Sequence, residues 1–171
     1  MITNNYIVGL GAAILLWSQT ALSVVNSQVD IEISAESLPK VTIYYDGKPV
    51  DGKDIDFPLV VNGVSQKFEN VSPKIYLVGN VDQADIVFTD KNFSLTHESG
   101  KQADIDLSGS FIFKGVEKNA TQALRMPVIK KLTQGSTENS VKIRFVSEHL
   151  AGYYAKGKYS NAFTLMVTPI L

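Results

Sequence analysis

Few residues in this chain are placed to do chemistry. The two histidines, His97 and His149, stand far apart and form no His-x-x-x-His pair, the spacing that sets two imidazoles on one helix face for a metal. Both are expected on surface loops. There is no cysteine, which removes thiolate nucleophiles, cysteine metal sites and disulfides together. Serine and aspartate are plentiful, but no Gly-x-Ser-x-Gly elbow and no phosphate-cradling glycine loop occurs. The densest carboxylate run is Asp46-Gly-Lys-Pro-Val-Asp51-Gly-Lys-Asp54-Ile-Asp56. Asp51, Asp54 and Asp56 carry the oxygen ligands that calcium takes, yet the twelve-residue EF-hand loop is missing and Lys48 and Lys53 offset the charge. A solvated turn is the expectation there. Lys130-Lys131 offers its charge to an anionic receptor or only to water. Tyr44, Tyr45, Tyr153, Tyr154 and Tyr159 offer a carbohydrate platform or, the stronger reading, amphipathic packing at sheet faces and subunit contacts. The residues therefore predict a protein that is not an enzyme and has no cofactor and no metal.

Charge and the first residues narrow the class. Sixteen basic and 17 acidic residues give a net charge of −1, which makes no electrostatic case for nucleic acid or an anionic membrane as partner. From Met1 to Ser23 there is no charged side chain, and Ile7 to Trp17 is an apolar run of signal-peptide length, too short to span a bilayer. No Lys or Arg precedes that run, so the start amine alone supplies the positive charge. Ala21-Leu22-Ser23 supplies the small residues that a signal peptidase reads. Cleavage after Ser23 makes residues 1–23 a signal peptide and leaves Val24 as the mature N-terminus, with no membrane insertion of the mature chain. What remains is enough for one domain and too little for two of ordinary size.

The elements that position these residues read as strand after strand. Val41 to Tyr45 is rich in β-branched and aromatic residues and stops at the turn signal Asp46-Gly47. Phe57 to Val61 follows and ends at Asn62-Gly63. Further strand candidates are Lys74 to Val78, Asp85 to Thr89, Phe93 to Thr96, Ile105 to Phe113, Met126 to Ile129, Val141 to Val146 and Tyr159 to Thr168. Short helical turns are expected only near Glu148 to Tyr154 and around Val116 to Thr121. Many short strands separated by Gly-, Asn- and Ser-rich joints predict an all-β sandwich.

The two ends carry the sharpest pattern. Val29, Ile31, Ile33 and Ala35 alternate with Asp30, Glu32 and Ser34, the period of a half-buried strand. At the other end Phe163, Leu165 and Val167 line one face of the last strand candidate, with only Pro169, Ile170 and Leu171 after it. Either the N-terminal strand pairs in cis within a self-contained secreted binding module, or it pairs with a neighbouring molecule by donor-strand complementation.

Four places, in order along the chain, resemble pilin subunits of the colonisation-factor-antigen type, the class 5 or alternate chaperone-usher fimbriae of Gram-negative bacteria. They are Val29 to Ala35 leading into Leu38-Pro39 and Val41; Lys67-Phe68-Glu69 ahead of Ile75; Met126-Pro127-Val128; and Gly157 to Ser160 leading into Leu165 to Thr168. The ending Pro169-Ile170-Leu171 and the long 46–56 segment depart from the common pattern. The resemblance implies an incomplete immunoglobulin-like β-sandwich over residues 37–171, preceded by a donor-strand extension, residues 24–36, that carries Val29, Ile31, Ile33 and Ala35. It implies that Phe163, Leu165 and Val167 border the acceptor groove and bind a periplasmic chaperone, whose strand an outer-membrane usher exchanges for that of the next subunit. Partners would then be identical or related pilin subunits, the chaperone and the usher, with a host receptor as a further candidate, and the site of action a fimbria on the cell surface. A tip adhesin would need a second domain ahead of this one, for which the length leaves no room.

Overall fold

A computed structural model describes residues 36–50 and 52–171; the donor residues Val29, Ile31, Ile33 and Ala35, the signal segment and Asp51 lie outside them. The first described strands form a hairpin, β1 (Val41–Tyr45) with β2 (Lys48–Val50). Asp46 and Gly47 both take positive φ, 48° and 73°, the two-residue turn whose twist matches that of paired strands. Next come β3 (Val60–Val61), β4 (Lys67–Val71), β5 (Ile75–Gly79), β6 (Gln83–Phe88) and β7 (Phe93–His97). They are followed by β8 (Ile105–Phe113), β9 (Val116–Asn119), β10 (Leu124–Pro127), β11 (Ser140–Leu150), β12 (Tyr159–Ser160) and β13 (Leu165–Ile170). Single 3₁₀ turns occupy Leu132–Gln134, Thr137–Asn139 and Ala151–Tyr153, and among the described residues no helix is long and apolar enough to cross a membrane.

The strands make two antiparallel sheets. The larger runs β12-β7-β8-β11-β5-β1-β2, with β4 continuing β5 along the edge of β11, β3 beside β4, and β9 beside β8. The smaller is β10-β6-β13. Between them lies a core of alternate inward residues, including Ile75, Leu77, Ile86, Phe111, Met126 and Val141. At its centre Phe93 meets Phe145 at 5.0 Å and Phe88 at 5.3 Å, all edge to face, a geometry that adds roughly 0.5–1.5 kcal/mol per pair beyond burial. Gly109 lies beside these rings because a Cβ there would stand 2.7 Å from the Phe93 ring and 2.8 Å from the Phe145 ring.

Several expectations are corrected. Tyr159 to Thr168 is not one strand: β12 pairs with β7 of the large sheet and β13 with β6 of the small one. The break has a side-chain cause. Asn161 donates to the Ser94 carbonyl (2.8 Å) and accepts from Ala162 N–H (2.8 Å), while the Asp90 carboxylate takes Thr164 N–H (2.9 Å), so local side chains draw these groups away from a continuous ladder. Val116 to Thr121 is not helical; the turn at Lys114 (φ 52°) and Gly115 (φ 77°) folds β9 back on β8. Of Phe57 to Val61 only Val60–Val61 joins a ladder, Pro58 having no N–H to give.

Candidate strand-acceptor seam

β13 pairs with β6 along its length, from Leu165 opposite Phe88 to Ile170 opposite Gln83. Among the described residues no strand occupies its other edge. Its inward side chains Leu165 and Val167 pack on the core yet stay half-buried. Being an edge strand is not the reason. β10 is the opposite edge of the same sheet, and its inward Leu124 and Met126 are 2% and 0% exposed. Among the described residues the core is closed over β10 and only partly covered beside β13.

The facing sheet has the same asymmetry. On β5, Ile75 and Leu77 are each 1% exposed, whereas Tyr45 and Ile43, their register partners on β1, are half-buried along with Val41. Phe57 and Leu59 extend that border, also half-buried and packed on the core, with the Phe57 ring 5.9 Å from Phe145. Burial pushes the Tyr45 hydroxyl above its ordinary pKa of 10.0, with the Asp46 charge adding to the effect. β1 and β13 themselves approach within 8 Å between Cα atoms. Two strand spacings come to roughly 9.5 Å, so a strand added to β13 spreads the borders where they are closest. The result is an apolar seam flanked by an unpaired strand edge, chemistry suited to an extended segment with an apolar side chain at every second position.

The chain enters the domain at one end of this seam. Asn80 accepts from Lys40 N–H (2.6 Å) and donates to the Leu38 carbonyl (2.8 Å), while its own N–H donates to the Lys40 carbonyl (3.1 Å). Three residues on, Gln83 pairs with Ile170. The start of β1 and the end of β13 therefore share one pole of the domain.

The expected site residues separate accordingly. Leu165 and Val167 lie on the seam. Phe163 sits just before β13, its ring 5.1 Å from Phe93 and 5.7 Å from Phe145. Sequence reasoning missed the opposite border, Val41, Ile43, Tyr45, Phe57 and Leu59, although the alternation of the first three was its signal. His97 is not on a surface loop: it ends β7 at 8% exposure. Its Nδ1 accepts from Ser99 N–H (3.0 Å), which places the proton on Nε2, facing the Lys156 carbonyl at 3.2 Å. His149 lies one residue before the end of β11, exposed, with its ring 4.4 Å from Tyr153. Tyr153 and Tyr154 meet at 5.4 Å, Tyr159 packs on His97 at 4.8 Å, and Tyr44 and Tyr45 stand on β1, so the five form no single platform. Burial raises the Tyr154 pKa, against the hydrogen bond its hydroxyl accepts from His149 N–H (3.2 Å). Lys130 bonds the Val81 carbonyl (3.0 Å) and Asp82 (3.1 Å). Asp54 and Asp56 are exposed, and among the described residues no three His, Asp or Glu side chains gather as metal ligands.

No family model and no curated protein sequence matches this chain. Among solved structures, a chain from a chaperone–tip adhesin complex, described as vital for synergistic activation of CFA/I fimbriae biogenesis, superposes with a TM-score of 0.51 over 76% of this chain at 15% identity. This chain spans 42% of the length of that one. What the two share is the fold, an all-β immunoglobulin-like sandwich.

Proposed function

We propose that this chain is a structural subunit of a bacterial surface fimbria of the chaperone-usher kind, polymerised by donor-strand exchange in support of adhesion, with no catalytic role. The observation that carries this reading is the seam. Both of its borders leave inward apolar side chains only partly buried while neighbouring strands of the same sheets are closed. Val29, Ile31, Ile33 and Ala35 supply the complementary alternation, and likeness in fold to a chain of a fimbrial chaperone–adhesin complex supports the same class. Before assembly a periplasmic chaperone lends its strand beside β13, and an outer-membrane usher directs the exchange. Burying Val29, Ile31 and Ile33 contributes roughly 1.5–3 kcal/mol each before ordering costs.

The test uses assembly of purified chains. Ile31→Asp places a charge in the seam and abolishes fibres seen by electron microscopy, whereas Asp30→Ala, on the outward face, leaves their length unchanged. A peptide covering residues 24–36 raises the thermal stability of chains lacking those residues. Fibres of wild-type length from Ile31→Asp, or a stable monomer indifferent to the peptide, would favour a self-contained secreted sandwich instead.

A further inference from the structure

At the pole opposite Asn80 the domain exposes an apolar cluster with nothing described upon it. Leu150, at the end of β11, is 55% exposed, and Tyr153, in the turn that follows, 68%. Their backbone is tied to the start of β4, since Leu150 pairs with Lys67 and Ala151 N–H donates to the Gln66 carbonyl (2.8 Å). The Tyr153 and His149 rings meet at 4.4 Å in a tilted arrangement, and with Leu150, Gln66 and Gly152 they line a shallow depression. The cluster continues the seam beyond Leu59 through Val60–Val61, themselves exposed at the β3 edge. The other pole presents two outward leucines, Leu38 and, just after β13, Leu171 at 98% exposure. Leu38 is 65% exposed while Asn80 holds its carbonyl, so its backbone is fixed and its side chain faces solvent.

Chain direction says what covers the cluster. β13 runs towards the Asn80 pole, where the chain enters at Ser37. A strand from a second copy lying antiparallel to β13 leaves the seam at the far pole, so each entry pole meets the exposed cluster of the next copy, an open head-to-tail chain. A parallel strand would set entry pole against entry pole and leave no room for the following copy. Leu38 lies three residues after Ala35, about 10 Å of extended chain. We infer that a second copy of this chain docks its Leu38 on the apolar surface formed by Leu150 and Tyr153, making a pole-to-pole contact that adds to the strand in the seam. This rests on the donor-strand reading above.

The test uses the full-length chain carrying Ile31→Asp, whose own donor segment is disabled and whose seam is open to added peptide. Peptide 24–40 binds it roughly tenfold more tightly than peptide 24–36, the effect of burying about one leucine. That gain disappears when the peptide carries Leu38→Asp or when the chain also carries Leu150→Asp, while affinity for peptide 24–36 stays unchanged. In chains with an intact donor segment, Leu38→Asp shortens fibres and Leu38→Asp with Leu150→Lys restores them. Equal affinity for the two peptides would overturn the pole contact alone. Failure of both peptides to bind would overturn the donor-strand reading and the contact with it.

Discussion

Two buried serines hold the large sheet together where its strands lose register. Between β4 and β5 the segment Ser72-Pro73-Lys74 bulges against β11, and Pro73 has no N–H for the ladder. Ser72, 3% exposed, takes over: its Oγ accepts Ile143 N–H (2.8 Å) and donates to the Pro73 carbonyl (2.8 Å). At the second irregularity, between Val146 and Leu150, Ser147 accepts Phe68 N–H (3.1 Å) and donates to the His149 carbonyl (2.7 Å). Ser72→Ala leaves the Ile143 N–H buried and unpaired and lowers stability by about 1–3 kcal/mol, read as a shift in the urea midpoint at constant slope. A loss no larger than that of an exposed Ser→Ala control would mean that water replaces the hydroxyl.

At the scale of elements, β13 divides its residues between two tasks. Leu165 and Val167 face the seam, while Met166 and Thr168 face outwards, Met166 at 47% exposure. Val167→Asp places a charge on the apolar seam and weakens capture of the 24–36 peptide at least tenfold by titration calorimetry, a loss of about 1.4 kcal/mol or more. Met166→Asp, on the other face, changes it less than twofold. Equal effects would mean that the strand does not enter beside β13. This alternation was legible in the sequence, as were the turn at Asp46-Gly47 and most strands lining the core, because period-two patterning and turn chemistry are local signals, whereas β2, inside the segment expected to be a solvated turn, and β4 were not. The division of residues 159–168 between sheets was not, since it depends on Asn161 bonding Ser94 and Asp90 bonding Thr164, 67 and 74 positions apart. The serine hydroxyls were hidden for the same reason: their partners lie 71 and 79 positions away. The acceptor border was half legible, since β1 alternates visibly, but that β1 and β13 flank one seam follows only from the sheet order.

For the whole molecule, polarity follows from the shared pole of Ser37 and Ile170. A strand attached after Leu171 through a tight loop starts at that pole and must run back antiparallel to β13, the direction the head-to-tail arrangement assigns to a donor from another copy. Appending residues 24–36 after Leu171 through a short Gly- and Ser-rich linker therefore closes the seam within one molecule. When the native 24–36 segment is removed from the front as well, the variant is a monomer by light scattering. Its unfolding midpoint rises by roughly 10 °C or more over the unappended domain, since even a few kcal/mol of the burial survives loop closure. It neither extends fibres nor accepts a wild-type donor. The same appendage with its central isoleucine, the counterpart of Ile31, replaced by aspartate leaves the seam open and gains no such stability. Equal stabilisation by both appendages would mean that added chain length, and not strand complementarity, protects the domain, and polymerisation through the seam would lose its physical basis.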